Sequence, residues 1–292
     1  MLKLIRSYFR AASALSPKMA GNQAFELFQR PLNKKIRKKE MSFFKVAKTF
    51  KIKHYLEDIQ CYELGNPLGQ LVLLVHGWES NAASMSAIGL KLAEKGHHVI
   101  LFNLPAHGFS KLKKANIKMC KEVLLEVINH INPQQPFSIV SHSFGSAVTS
   151  YALSKTTHQV DQLIFLTTPN SITKIFEDYS KFIGINQQAH EQLCKRAENI
   201  LHEPLEGIRV DQLGAKIRYN HLLLIHDADD KVLPKSNTIE IYNQWPNSEL
   251  KLLEKTGHYK MLWDQKVISM VIEQLSYGQQ TKKEKSVYAM AF

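Results

Sequence analysis

Short apolar runs recur along this chain from about residue 60, and helix-like segments separate several of them. Runs rich in Leu, Ile and Val are typical of strands buried on both faces of a sheet. The runs are LVLLV (71–75), HVILF (98–102), FSIV (137–140), QLIFL (162–166), HLLLI (221–225) and ELKLL (249–253). Residues 85–96 and 118–131 have helical periodicity. Because strands that take turns with helices usually pair in parallel, the sequence predicts an α/β fold with a mostly parallel central sheet flanked by helices.

One connection is much longer than the others. About fifty residues separate QLIFL from HLLLI, whereas a connection in an α/β unit usually has about 2–6 residues. SITKIFEDYSKFIG and QQAHEQLCKRAENIL within it have helical periodicity. We therefore predict a helical cap inserted at 171–210 into a core made of 61–170 and 211–275, followed by a polar tail at 276–292.

Positive charge is concentrated at the N-terminus. The 292 residues carry a formal net charge of +12, and residues 1–60, with 14 Lys and Arg against four Asp and Glu, hold +10 of it. The apolar residues of 1–21 fall near helical spacing, so 1–60 are predicted to be a basic, partly helical arm. This arm is either a solvated charged face or a peripheral contact with an anionic membrane surface. No nucleic acid is expected as a partner, because no stacking aromatics accompany the charges.

The same N-terminal segment lacks the features of a signal peptide. Arg6 and Arg10 interrupt its apolar residues, so no continuous hydrophobic region forms. The cysteines Cys61, Cys120 and Cys194 make no CxxC pair, which favours a reducing compartment. These observations predict a cytoplasmic protein, peripheral to a membrane if the arm makes that contact.

The segment FSIVSHSFGSAVTSYAL (137–153) contains the candidate nucleophile, Ser143. A nucleophile elbow is a strand, a tight turn that holds the nucleophile in a strained conformation, and a helix. The residues two before and two after the nucleophile must be small because the backbone folds back on itself, and here they are Ser141 and Gly145. Turn chemistry alone would also explain this pattern. Its position between a buried strand and a helix favours the elbow.

A serine hydroxyl needs a base, and the base needs an acid to orient it. His258 lies in a loop after the ELKLL strand, and acidic residues follow the HLLLI strand. Three carboxylates compete for the position of the acid: those of Asp227, Asp229 and Asp230.

The order of these segments resembles the α/β-hydrolase superfamily, over roughly residues 60 to 275. In that superfamily the acid commonly begins a D-x-V-x-P stretch, which is DKVLP (230–234) here and selects Asp230. Gly257-His258 corresponds to the late Gly-His pair of the superfamily.

Two further segments carry the resemblance. LVLLVHGWES (71–80) is similar to the superfamily's strand followed by His-Gly. It implies an oxyanion hole made of the backbone N–H groups of Trp78 and Phe144, with His76 as a loop-shaping residue. FNLPAHGFS (102–110) resembles a D-x-P-x-H-G-x-S turn with Asn103 in place of Asp, and we interpret it as structural.

The resemblance implies a serine hydrolase of carboxyl esters, a carboxylesterase. Ser143 would attack the carbonyl, His258 would take its proton, and Asp230 would orient His258, while Trp78 and Phe144 hold the oxyanion. Amides, thioesters and monoacylglycerols are alternative substrates, because pocket shape rather than the triad selects the leaving group. A catalytically silent fold that binds a membrane or a partner is the alternative from another class.

Two expectations concern what the site binds. No cofactor and no metal is expected, since no phosphate-loop motif and no metal-ligand spacing occurs in the sequence. If the cap roofs the site, its aromatic residues Phe176, Tyr179 and Phe182 would line an acyl pocket; otherwise they are packing residues.

Overall fold

An eight-stranded sheet lies at the centre of the protein, in a computed structural model that describes residues 2–276. Its strands are β1 (Lys48–Ile52), β2 (Ile59–Gly65), β3 (Leu71–Val75), β4 (His98–Phe102), β5 (Phe137–His142), β6 (Gln159–Leu166), β7 (Arg218–Asp227) and β8 (Ser248–Leu253). Their order is β1-β2-β4-β3-β5-β6-β7-β8. β1 and β2 are antiparallel to their neighbours, and the six strands from β4 to β8 in this order pair in parallel. The predicted fold class, a mostly parallel sheet flanked by helices, is confirmed.

Helices connect the strands and cover both faces of the sheet. They are α1 (Leu2–Leu15), α2 (Pro17–Phe28), α3 (Phe43–Val46), α4 (Ser86–Glu94), α5 (Ile117–Ile131), α6 (Phe144–Leu153), α7 (Ile172–Ile183), α8 (Gln187–Leu201), α9 (Val210–Leu213), α10 (Lys235–Gln244) and α11 (265–276). Side-chain caps fix where several begin: Ser16, Asn116, Ser171 and Asn186 each accept a hydrogen bond from a backbone N–H three residues on. None of the helices between residues 2 and 276 combines the length and the hydropathy needed to cross a bilayer.

The continuous apolar runs are explained by burial on both faces of the sheet. Leu73 and Val75 of β3 belong to the hydrophobic cluster that includes α5 and α6. Val72 and Leu74, which alternate with them, belong to the cluster on the opposite face, with α4 and α11. Because successive side chains of a strand point to opposite faces, a strand covered on both sides has no polar side.

The inserted cap lies between β6 and β7. It consists of α7, α8 and a short 3₁₀ helix, Leu205–Ile208, all inside the predicted 171–210. Of the predicted tail at 276–292, all but the first residue lies outside the described residues.

The N-terminal segment differs from the predicted arm in two ways. The sheet begins at Lys48 and not after residue 60, since β1 and the first residues of β2 lie inside the segment assigned to the arm. The sequence KTFKI gave no apolar run because β1 is an edge strand, largely exposed. Residues 2–28, moreover, pack on the cap: a Cβ on Gly21 of α2 would lie only 2.4 Å from the carbonyl oxygen of Ala189 in α8.

Candidate active site

Ser143 lies in a strained turn between β5 and α6. Its backbone has φ 52° and ψ −123°, a left-handed conformation that costs a non-glycine residue about 1–3 kcal/mol. The neighbouring strand β6 holds it there, because the Ser143 N–H donates to the carbonyl oxygens of Leu166 at 3.0 Å and Thr167 at 2.9 Å. The turn therefore presents the Ser143 hydroxyl at the carboxyl end of the sheet, where ligands of such sheets bind.

The two small residues that flank Ser143 are accommodated differently. A Cβ on Gly145 would lie 2.4 Å from the carbonyl oxygen of Val75, so this position has room only for glycine. The Ser141 side chain, by contrast, is fully buried, and its Oγ lies 2.7 Å from Oγ1 of Thr149 on α6. Serine fits at position 141 because its hydroxyl has a partner, and the departure from glycine leaves the elbow intact.

The structure brings the three predicted triad residues together. Nε2 of His258 lies 3.1 Å from Oγ of Ser143, and Nδ1 of His258 lies 2.8 Å from Oδ2 of Asp230. Side chains contributed after β5, β7 and β8 thus form one chain of hydrogen bonds. Nδ1–H donates to the carboxylate, which leaves Nε2 free to accept the serine proton.

Asp230 is held as an anion. Its Oδ1 accepts hydrogen bonds from the backbone N–H groups of Val232 at 2.7 Å and Leu233 at 3.1 Å, and its Oδ2 accepts one from Oγ1 of Thr167 at 2.9 Å. Burial disfavours the charge, but the hydrogen bond from His258 and the two N–H groups outweigh it and hold the pKa of Asp230 well below its ordinary value. A carboxylate at this position can stabilise a positively charged imidazole.

The other two candidate carboxylates have different surroundings. Asp227 accepts hydrogen bonds from Oγ1 of Thr256 at 2.6 Å and from the backbone N–H of Gly257 at 2.5 Å. It therefore fixes the loop that carries His258 without contacting the imidazole. Asp229 is exposed.

Trp78 and Phe144, the residues expected to supply the oxyanion hole, both border Ser143. A Cβ on Gly77 would lie 3.1 Å from Cβ of Ser143, so the loop after β3 runs beside the nucleophile. Phe144 is the first residue of α6, and its ring lies 5.4 Å from that of Trp78, edge to face. The oxyanion role of their N–H groups stays a prediction.

Two polar residues near the site bind backbone groups. Nε2 of His76 accepts a hydrogen bond from the Leu104 N–H at 3.0 Å, and its Nδ1 donates to the carbonyl oxygen of Gly77 at 2.8 Å. Oδ1 of Asn103 accepts a hydrogen bond from the Ala82 N–H at 2.9 Å. Each side chain shapes a loop.

The sequence reasoning passed over two residues that support the triad. His142 donates from Nε2 to the carbonyl oxygen of His258 at 2.9 Å, and the two rings lie 5.0 Å apart. Thr167 bonds Asp230, as described above. Both stand at the carboxyl ends of neighbouring strands, β5 and β6, and that position is the signal that could have found them.

A cavity of about 990 Å³ adjoins Ser143. The core, the cap and the N-terminal helices all contribute to its wall. The lining side chains are mainly apolar and include Ile5, Phe25, Phe28, Trp78, Phe144, Ala147, Ile172, Phe176, Tyr179 and Phe182. The three aromatic residues of the cap that were singled out from the sequence are among them.

Known proteins resemble this chain in both sequence and structure. A sequence profile described as alpha/beta hydrolase fold matches residues 70–187. A serine hydrolase-like protein of Dictyostelium discoideum is 25% identical over 170 residues, which cover 57% of this chain and 45% of that protein. Human serine hydrolase-like protein 2 is 28% identical over 177 residues, covering 60% of this chain and 55% of that one. The match thus spans only about half the length of these two relatives.

A solved structure shows the same fold. The crystal structure of a lipase candidate from Acinetobacter baumannii superposes with a TM-score of 0.66 at 16% identity, over 83% of this chain and 95% of that one. The resemblance first seen in the motifs is confirmed at the level of the fold.

We expect the free energy of unfolding to fall as the pH is lowered from about 6.5 towards 4. Burial, followed by the nearby His258, lowers the pKa of His142 from 6.5 to about 3, and burial likewise lowers the pKa of His76 to about 3. The unfolded chain regains the ordinary pKa and takes up protons that the folded chain does not bind. Stability that is complete above pH 6.5 is therefore lost as the pH falls.

Urea unfolding between pH 4.5 and 7.5 measures this dependence. His142→Asn removes one of the buried histidines with a lowered pKa and is expected to make the slope shallower by up to about 1.4 kcal/mol per pH unit. A variant slope equal to that of the wild type would contradict the assignment.

Proposed function

Since this chain has the α/β-hydrolase fold, we propose that it is a serine hydrolase that cleaves carboxyl esters. The observation that carries the proposal is the hydrogen-bond chain through His258, 3.1 Å to Oγ of Ser143 and 2.8 Å to Oδ2 of Asp230. Both distances lie within reach of proton transfer and orientation. The names of the matched relatives, serine hydrolase-like proteins, support the same class.

In the proposed reaction Oγ of Ser143 attacks the ester carbonyl while Nε2 of His258 takes the hydroxyl proton. The ionised Asp230 stabilises the imidazolium through Nδ1–H, and the N–H groups of Trp78 and Phe144 bind the oxyanion. The tetrahedral intermediate collapses, the alcohol leaves with the proton from His258, and the acyl group stays on Ser143. A water molecule, deprotonated by His258, then hydrolyses the acyl-enzyme and restores the hydroxyl.

Esters are proposed ahead of amides and thioesters because of the cavity. Its mainly apolar wall suits an acyl group and offers few polar partners to an amide or peptide substrate. The catalytically silent alternative is disfavoured by the geometry, because a fold kept only for binding has no need of a strained serine aligned with a histidine and a buried carboxylate.

We expect Ser143→Ala to abolish hydrolysis of p-nitrophenyl butyrate, because no other group takes the place of the nucleophile. Removing one member of such a triad typically lowers kcat by about 10⁴-fold or more. A fluorophosphonate probe should label the wild type and not the variant, since labelling requires an activated hydroxyl. Ser146→Ala, which removes a buried hydroxyl of α6 three residues away, is the matched control. Turnover retained by Ser143→Ala would refute the proposal.

The choice of acid makes a second prediction. We expect Asp230→Asn to lower kcat by about 10³- to 10⁴-fold, since an amide cannot stabilise the imidazolium or fix its tautomer. Asp227→Asn should lower thermal stability more than it lowers kcat, because Asp227 bonds the loop around Gly257 and the Asp229 N–H rather than His258. Steady-state kinetics and thermal unfolding of the two variants measure both effects. The reverse ranking of kcat would identify Asp227 as the acid.

We also propose that the exposed side of α1 contacts an anionic membrane surface. Leu4, Tyr8 and Leu15 recur at helical spacing, and their exposed fractions are 76%, 51% and 85%. Lys3 and Arg10, both exposed, lie along one side of this stripe. An apolar helix face bordered by cations matches the chemistry of an anionic lipid headgroup layer.

Vesicle co-sedimentation tests the contact. Lys3→Gln together with Arg10→Gln should weaken binding to phosphatidylcholine vesicles containing phosphatidylserine by about 30-fold, at about 1 kcal/mol for each cation. Lys216→Gln with Lys266→Gln, two exposed lysines outside α1, is the charge-matched control. Equal pelleting of the two double variants would rule out α1 as the contact.

A further inference from the structure

The N-terminal helices form part of the cavity wall beside Ser143. Leu2 and Ile5 of α1 and Phe25, Leu27 and Phe28 of α2 line it together with the core and the cap. The volume of about 990 Å³ lies at the upper end of the ~300–1,000 Å³ found for small-molecule sites. Because five of its lining residues belong to α1 and α2, the core and the cap do not enclose this space without residues 2–28.

Phe28 joins the three parts of the wall. Its ring stacks on that of Trp78, with centroids 6.4 Å apart and planes 19° apart. The same ring meets those of Phe176 at 4.9 Å and Tyr179 at 5.0 Å, both edge to face. A residue from the N-terminal segment thus lies between the loop that borders the nucleophile and the first helix of the cap.

The helix pair is fixed in this position. The hydroxyl of Tyr179 donates to the carbonyl oxygen of Ala24 at 3.1 Å, and Nδ2 of Asn186 donates to that of Ser13 at 3.1 Å. On the core side, the Ala115 N–H donates to the carbonyl oxygen of Gln29 at 2.8 Å. The two helices α1 and α2 thus have contacts to both the cap and the core.

The chemistry of the wall selects the occupant. Two of the charged residues that border the cavity, Lys174 and Asp178, lie 2.7 Å apart, and their side chains are 56% and 60% exposed. Trp78 of the loop beside Ser143, and Phe144 and Ala147 of α6, are among the lining residues. A polar acyl group placed against these residues would lose its hydrogen bonds to water without replacement, whereas a hydrocarbon chain gains about 0.8 kcal/mol for each methylene buried.

We propose that the substrates are esters of long-chain fatty acids and that α1 and α2, with Phe28 foremost, form the binding site for the acyl chain. This inference rests on the proposed serine hydrolase activity. We assign the hydrocarbon chain to the acyl side of the ester, because the acyl group is the part that stays bonded to Oγ of Ser143. Phe144 and Ala147, which follow Ser143 on α6, line the cavity.

A series of p-nitrophenyl esters from acetate to dodecanoate, used below their critical micelle concentrations, tests the proposal. In the wild type kcat/KM should rise by up to about fourfold for each methylene added, until the cavity is filled. Phe28→Ala should lower the ratio of decanoate to acetate kcat/KM by about tenfold or more. Phe9→Ala is the matched control, because Phe9 is buried in α1 and does not line the cavity. Its ratio should equal that of the wild type.

A second pair of variants covers the case in which Phe28→Ala does not fold. Ile5→Glu places a carboxylate on the lining side of α1 and should depress decanoate hydrolysis selectively. Ser7→Glu adds the same charge to the exposed side of that helix and should not. Equal ratios for Ile5→Glu and Ser7→Glu would overturn the role of the N-terminal helices.

Two isomeric esters test the acyl assignment. Ethyl dodecanoate and dodecyl acetate have the same composition and differ only in which side of the ester carries the long chain. We expect the wild type to prefer ethyl dodecanoate. A preference for dodecyl acetate would overturn the assignment.

Failure of this inference is distinguishable from failure of the proposed function. Active hydrolysis of acetate and butyrate with no rise along the series would overturn the long-chain site and leave the serine hydrolase standing. If no ester is cleaved, dodecanoic acid is titrated into Ser143→Ala with calorimetric detection. One-site binding that Phe28→Ala abolishes would support the cavity as a chain-binding site, and no binding would overturn it.

Discussion

The site depends on the backbone of Ser143, which adopts φ 52° and ψ −123°. This conformation turns the chain sharply from β5 into α6. Contacts with the strands on either side of β5 hold the turn in place. The backbone of α6 comes within touching distance of the end of β3, where a Cβ on Gly145 would strike the carbonyl oxygen of Val75. The hydrogen bonds from the Ser143 N–H to Leu166 and Thr167 tie the turn to β6. The strain is thus offset by the strands on either side of β5.

The electrostatics of the site follow from where the sheet places each group. Asp230 and His258 follow neighbouring strands, β7 and β8, so their loops meet Ser143 at the carboxyl end of the sheet. The hydrogen bond from His258 and those from backbone N–H groups hold the pKa of Asp230 below its ordinary value despite its burial. His142, one residue from the nucleophile, is kept neutral because burial, followed by the nearby His258, lowers its pKa. Both side chains are therefore deprotonated at neutral pH, Asp230 because hydrogen bonds stabilise its charge and His142 because burial disfavours a charge.

The N-terminal segment shapes the cavity that adjoins Ser143. Its charge suggested a basic, partly helical arm, and α1 and α2 pack on α7 and α8 and line a cavity that the cap only partly covers. The same helix α1 lines the cavity with Ile5 and exposes Leu4, Tyr8 and Leu15 on its other side. One helix therefore separates the cavity beside Ser143 from the surface proposed to meet a membrane.

The sequence by itself determined the α/β class, the inserted cap and the small set of residues from which a triad could be built. These are local properties: apolar runs require two-sided burial, and an elbow requires small residues around its nucleophile. It could not rank Asp227, Asp229 and Asp230 without the family resemblance, because the ranking depends on which carboxylate reaches a loop about thirty residues away along the chain. It missed β1, since the side chains of an edge strand carry no continuous burial signal. It also gave no sign that Phe28 lies beside Trp78. Contacts between residues distant along the chain depend on how whole elements pack, and only the tertiary structure decided them.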